Sequence, residues 1–273
     1  VITTRISPGD GAVVGVAAPV IVHLGSAPAN KALIEKHVAI TTTPNVDGAW
    51  AWIKPDGEQF ESLDWRPQAY WPATTVVHVE ANMYGLDFGD NYYGDDNKTS
   101  DFTIGRNQVV LADANAHTIV VQRDGVPVAS YDASYGSGDD NGDPNRVTRS
   151  GIHVVNDLQE TVKMSNPAYD YTNVTEHWAV RVSDNGEFIH QNQGTVGDQG
   201  VTNVSHGCIN LSAESAQAYY ESAMIGDPVE VVGTSVPLSS DDGDVYDWTI
   251  PWSQWLTMSA GRQPVEAIRL IRM

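Results

Sequence analysis

A chain of 273 residues that is 41% hydrophobic has the composition of a folded protein with room for two ordinary cores. Its formal net charge of −20, from 35 acids against 15 bases, repels polyanions and excludes nucleic acid and anionic membrane surfaces as expected partners. A single cysteine excludes a disulfide scaffold, and no stretch approaches the roughly 20 apolar residues of a membrane span.

The first hundred residues read as β. The runs "APVIVHLGS", "HVAITTTP", "GAWAWIKP" and "TTVVHVEAN" are rich in Val, Ile, Thr and Trp and are separated by Pro, Gly, Asn and Asp. Strand alternation puts Trp50 and Trp52 on one face, and one or two helical turns fit "NKALIEKHV". "MYGLDFGDNYYGDDNKTSDFTIG" reads as a long loop entering a last strand, and its acids do not match the spacing of a calcium loop. Short strands between turn signals predict an antiparallel sandwich over 1–106. It carries no reactive constellation and reads as a spacer or docking module.

A second unit is predicted over 107–238. "IVVQRDGVPVAS" is a hairpin with Asp124-Gly125 at the two turn positions that need positive φ. "GSGDDNGDPN" reads as a flexible acidic loop; "GIHVVN", "ETVKMS", "EHWAVRVSDNGEFIH" and "DPVEVVG" supply further strands. The one persuasive helix is "SAESAQAYYESAMIG", with Ser212 as N-cap, a stripe of Ala216, Tyr219, Tyr220, Ala223 and Met224, and Gly226 as its stop. The region 239–273 carries Trp248, Trp252 and Trp255, and a tail that apolar is expected to pack back on a domain. The fold class is therefore mainly β: an immunoglobulin-like sandwich, a mostly β second domain with one main helix, and a Trp-rich extension.

The cysteine stands in "TNVSHGCINLS". A lone thiol is either a small core hydrophobe or a group kept for reactivity. A nucleophile needs help to reach its thiolate, and an imidazole supplies it. His206 lies two residues before Cys208, and His190 ends the strand "GEFIH". Gly207 lets backbone approach the sulfur closely, the amides of Gly207 and Cys208 are candidates for an oxyanion, and the helix capped by Ser212 begins just beyond. The residues alone leave a Cys–His pair and a structural thiol both open. Zinc is disfavoured, since scattered histidines and one cysteine give no paired ligands, and no metal or cofactor is required.

The stretch H-x14-S-H-G-C-I-N, from His190 to Asn210, resembles the signature of YkuD-like L,D-transpeptidases. "ASYGSG", "DWTIPWSQW" and the immunoglobulin-like text of the first hundred residues are similar to actinobacterial members, so the resemblance spans nearly the whole chain. It implies an exported cell-envelope enzyme that remodels peptidoglycan, anchored through an N-terminal segment ahead of Val1. Its cysteine attacks a donor stem tetrapeptide, D-Ala leaves, and the diaminopimelate amine of an acceptor stem takes the thioester to give a 3→3 cross-link. β-Lactams, carbapenems above all, are implied covalent inhibitors. Carried onto this sequence, Cys208 is the nucleophile and His190 the base and acid, with its ring oriented by the carbonyl of Gln191. His206, Gly207 and Cys208 form the oxyanion loop, while Ser205, Asn210, Asn185 and Gly186 match substrate-facing positions. Relatives place a tyrosine in a lid. Counting back from His190 reaches Thr172, and Tyr171 is taken as that residue, with Tyr169 two positions before it; Met164 is placed in the same cleft. The alternatives are an L,D-carboxypeptidase, with the same acyl-enzyme discharged to water, and a non-catalytic wall-binding module.

Overall fold

The computed structural model describes residues 1–54, 57–242 and 245–261. The first hundred residues form two facing four-stranded sheets. One runs in the order Thr4–Ser7, Val20–Leu24, Ser62–Pro67, Gly48–Ile53, all antiparallel. The other runs Val13–Val14, Asn97–Ile104, Val76–Asn82, Val38–Thr43. Alternate residues point inward as a half-buried strand requires: Val20, Val22 and Leu24 from one sheet meet Val77, Val79, Phe102 and Ile104 from the other. Trp52 lies in this core and Trp50 packs against it, so the two do share a face. The helix at 31–35 is one turn, with Asn30 accepting from the Leu33 amide. The segment expected to be a long loop holds a small hairpin, Asp87–Gly89 with Tyr92–Tyr93.

Sequence patterning does not single out the strand Ser62–Pro67, "SLDWRP", and the reason lies in the tail. Leu63 and Trp65 face the sandwich core, while Asp64 and Arg66 face the other way and are also buried. The C-terminal extension covers them. Tyr246, Ile250 and Trp255 form a second core with Ala49, Ala51 and Ile53 on the outer face of the neighbouring strand. Arg66 donates to the Ile250 carbonyl at 2.7 Å and lies 4.6 and 4.5 Å from the ring centres of Trp248 and Trp255, a cation–π arrangement strengthened by the loss of water. Burial and the Asp247 charge push the Asp64 carboxyl well above the usual carboxylate range. Residues 262–273, the end of the expected extension, lie outside the described residues.

Trp255 is fully buried and donates its indole N–H to the Ala49 carbonyl at 2.9 Å. Trp255→Ala is therefore expected to cost about 3–5 kcal/mol, the usual range for emptying a buried aromatic site, read as a lower urea midpoint. An unchanged midpoint would show that the extension adds nothing to the fold.

The second unit begins at Gln108. Its first sheet runs Val126–Asp132, Thr118–Arg123, Gln108–Asp113, Pro228–Val232, Gly151–Val154. Asp124 and Gly125 turn the first hairpin with φ of 51° and 76°, the signs this two-residue turn demands. Its second sheet runs Asp157–Asn166, Tyr171–Arg181, Phe188–Gln191, Ile209–Leu211, the last pair parallel. The helix Ala213–Ser222 packs through Ala216 and Tyr219 into the core that holds Ile189, Ile209 and Val229.

That helix stops at Ser222, short of the expected Gly226. The Ser222 carbonyl accepts from the Arg106 guanidinium and from the Gln108 amide, and the Asp227 carboxylate takes the Met224 N–H. Side chains of the domain junction thus satisfy its end. The same junction brings backbone to backbone. Gly15 and Ala17 donate to Ile225 and Gly226, and a Cβ on Gly15 would sit 2.3 Å from the Asp227 nitrogen. The acidic loop over 136–145 is structured rather than flexible. It holds the turns Gly138–Asn141 and Pro144–Arg146, and the Ser137 N–H donates to the Ser205 carbonyl.

Candidate active site

The parallel pairing of Phe188–Gln191 with Ile209–Leu211 sets His190 opposite Asn210. Cys208 precedes Asn210 by two residues, so strand parity puts it on the same face as His190 while Ile189 and Ile209 point into the core. Both line a cleft of about 500 Å³. Its roof is the hairpin of Asp157–Asn166 and Tyr171–Arg181, whose inward residues Val162, Met164, Val174 and Glu176 pair across the two strands.

His190 is 3% exposed. Its Nδ1–H donates to the Gln191 carbonyl at 2.7 Å, which leaves Nε2 for Cys208. The carbonyl that orients the ring is the one the family resemblance implies, and the bond uses the Gln191 backbone and not its side chain. Burial opposes a charge on the ring. The contact with Cys208 and the close carboxylate of Glu176, with the charges of both, outweigh it and hold His190 up at about 10. Cys208 is half-buried, its Sγ 3.6 Å from the Gly186 carbonyl. The pair can therefore hold an imidazolium beside the sulfur, the state a thiol nucleophile needs.

The remaining predicted residues divide. Tyr171 and Met164 line the cleft, and Thr172, which gap-free counting reaches, is exposed. Burial, then the Cys208 charge, raises the Tyr171 phenol above its ordinary value. The Tyr169 hydroxyl instead donates to Asp143 at 2.8 Å. His206 belongs to the wall rather than to the reacting pair: its ring lies 4.6 Å from Tyr169 and 5.6 Å from Tyr171, tying the loop to the roof. Burial and the Arg146 charge lower its pKa.

Three of the expected residues, all lining the cleft, also hold its loop and hairpin in place. The Gly207 amide donates to Ser205 Oγ at 3.1 Å, so it does not point at an oxyanion here. Ser205 is buried and knits the loop, since the same hydroxyl donates to the Cys208 carbonyl at 2.5 Å. The Asn185 side chain is turned to its own hairpin and to the extension; it donates to Asp242 at 3.1 Å and accepts from the Glu187 amide at 3.3 Å. Gly186, at φ 93°, lines the cleft beside Asn185. Asn210 is buried, with Nδ2 3.3 Å from Thr195 Oγ1 and its Oδ1 unpartnered among the described residues.

Sequence reading missed two kinds of residue. Thr148 fixes the loop by donating to the Gly207 carbonyl at 2.7 Å, and nothing in the sequence marks it. Glu176 lies 3.5 Å from His190 Nδ1, and alternation does not mark it: Trp178 and Val180, of the same parity, pack on the helix side, and Trp178 at φ 55° breaks the strand's regular alternation between them and Glu176. Among the described residues, no group of three His, Cys, Asp or Glu side chains is arranged to hold a metal.

A cysteine and an oriented histidine on one face of a β-domain, under a hairpin roof, define a thiol acyl-transfer site. Comparison with known proteins gives it a family. Residues 1–87 match the bacterial Ig domain and residues 107–231 the L,D-transpeptidase catalytic domain. The chain is 49% identical over 251 residues to L,D-transpeptidase 5 of Mycobacterium tuberculosis, covering 92% of this chain and 55% of that relative, so it spans little more than half of that protein's length. It is 34% identical over 236 residues to L,D-transpeptidase 1 of the same species, 84% of which it covers, at 84% of its own length. A solved structure of LD transpeptidase LdtMt1 in complex with imipenem superposes with a TM-score of 0.69 at 32% identity, over 85% of this chain and 100% of the other. The chain belongs to the L,D-transpeptidase family.

Proposed function

We propose that this chain forms 3→3 peptidoglycan cross-links. The observation that carries this reading is the His190 ring, fixed at Nδ1 by the Gln191 carbonyl and turned by its other nitrogen to Cys208 at the floor of a roofed cleft. The Cys208 thiolate adds to the carbonyl between the diaminopimelate L-centre and the terminal D-Ala of a donor tetrapeptide. The oxyanion accepts from the Cys208 amide and from Tyr171 above it. His190 gives its proton to the departing D-Ala nitrogen, leaving a thioester and a neutral imidazole. That imidazole takes a proton from the acceptor amine as the amine displaces the sulfur, and the cycle closes. One histidine serves both half-reactions because the second needs a base where the first needed an acid. The roof excludes water, which would otherwise discharge the thioester.

The same site is read as a target of carbapenems such as imipenem, whose ring carbonyl offers the thiolate a strained amide. The substrate lies outside the cytoplasmic membrane, and we place the protein there with it.

Mass spectrometry after incubation with a disaccharide tetrapeptide tests the reading. A cross-linked dimer lacking one D-Ala is expected. Tripeptide alone would replace it with an L,D-carboxypeptidase, and binding without either product with a non-catalytic wall-binding module.

A further inference from the structure

We propose that Glu176 is a positioning residue for His190: carried on the roof strand, its carboxylate sits beside the ring and holds the imidazolium facing Cys208. The proposal rests on the reading of the Cys208–His190 pair given above.

Glu176 Oε2 lies 3.5 Å from His190 Nδ1, and its side chain is 18% exposed. The ring's single Nδ1–H is already committed to the Gln191 carbonyl at 2.7 Å. Glu176 therefore acts through charge, and the carbonyl sets the ring's direction. A carboxylate this enclosed is costly unless a partner of opposite sign offsets the loss of water. His190 is the partner within reach, and it is cationic only when protonated. Cys208 and Glu176 are the two groups whose charge bears on the ring. The helix Ala213–Ser222, with Glu214 and Glu221, packs on the opposite face of the sheet against Ile189.

Placement adds a second feature. Glu176 pairs with Val162 across the hairpin and sits five residues beyond Tyr171 on the same strand. The roof that covers the cleft thus also brings the charge to the base. Tyr171 and Glu176 therefore reach the cleft on one strand and depend on the same hairpin for their placement.

The test is a nitrogen-15 NMR titration of histidine-labelled full chain, with the His190 signal assigned from its loss in H190Q. It is run on wild type, E176Q and E176D beside the pH profile of imipenem acylation. E176Q removes the charge and keeps the shape. It is expected to lower the His190 pKa by about one unit or more, the size of a single opposite-charge effect, and to bring the alkaline limb of acylation down by the same interval. E176D, one methylene shorter, should fall between. An unmoved His190 titration in both variants would overturn the proposal, including the case in which activity drops equally at every pH, because that is a structural role. If wild type is not acylated at all, the functional reading fails, and the titration still decides the role of Glu176.

Discussion

Cys208→Ala is expected to leave the fold intact and to remove acyl transfer altogether. The side chain is half-buried on a loop whose shape is set by other groups: Ser205 bridges the Gly207 amide and the Cys208 carbonyl, and Thr148 holds the Gly207 carbonyl. Those contacts use backbone atoms and survive the substitution, so the stability cost should stay within about 0.5 kcal/mol, as for surface changes. No second thiol exists in the 273 residues to take over. Turnover should fall on the order of 10⁴-fold or more, as when a nucleophile is deleted from a set that acts as a unit. Rates of cross-linking with matched circular dichroism check both halves. Retained turnover would mean that the sulfur is not the nucleophile.

His190→Ala is expected to slow acylation by roughly 10²–10⁴-fold, the range of a general acid–base group. Loss of the ring also strips Glu176 of its cationic neighbour and the Gln191 carbonyl of its donor, so a matched H190Q variant is needed to separate folding from chemistry. The wild-type pH profile carries the same information. A histidine raised to about 10 keeps its proton through neutral pH and surrenders it only as the pH climbs past that value. Acylation should therefore hold steady on the alkaline side of neutrality and decline toward pH 10. A decline centred near 6.5 as the pH rises would show that the proton donor is an ordinary, unpaired imidazole. An unchanged rate in both variants would shift the role to His206, although its ring is engaged by Tyr169 and Tyr171.

The residues alone left the reacting pair open between a Cys–His couple and a structural thiol, and it was the resemblance of H-x14-S-H-G-C-I-N that chose between them. In the structure His190 lies near the end of a strand delivered by a turn at Asp184-Asn185-Gly186, Cys208 directly precedes the parallel neighbour, and residues of like parity share a face. The hairpin at Asp124-Gly125 was legible for a local reason, since few residue pairs accept two positive φ values. What escaped was set at a distance. Ser62–Pro67 carries a charged residue at every second position of its middle and so reads as half-solvated. It is buried because Trp248 and Trp255, some 180 residues later, stack on Arg66. Asn185 and Ser205 line the cleft, and their bonds to Asp242 and to the loop backbone are long-range or loop-internal contacts that no motif displays. The helix end was misplaced because Arg106, Gln108 and Asp227 satisfy its last groups before Gly226 is reached. Glu176 belongs to no motif. Its approach to His190 depends on a positive φ at Trp178 and on a ring that arrives from another strand.

The central claim is that one thiol, set beside His190, accepts an acyl group. Intact mass of the folded protein after incubation with imipenem tests it most directly. A single adduct of one drug molecule on wild type and none on Cys208→Ala is the predicted result. An adduct that persists in Cys208→Ala, or unmodified wild type under conditions in which it also fails to process tetrapeptide, would contradict the account.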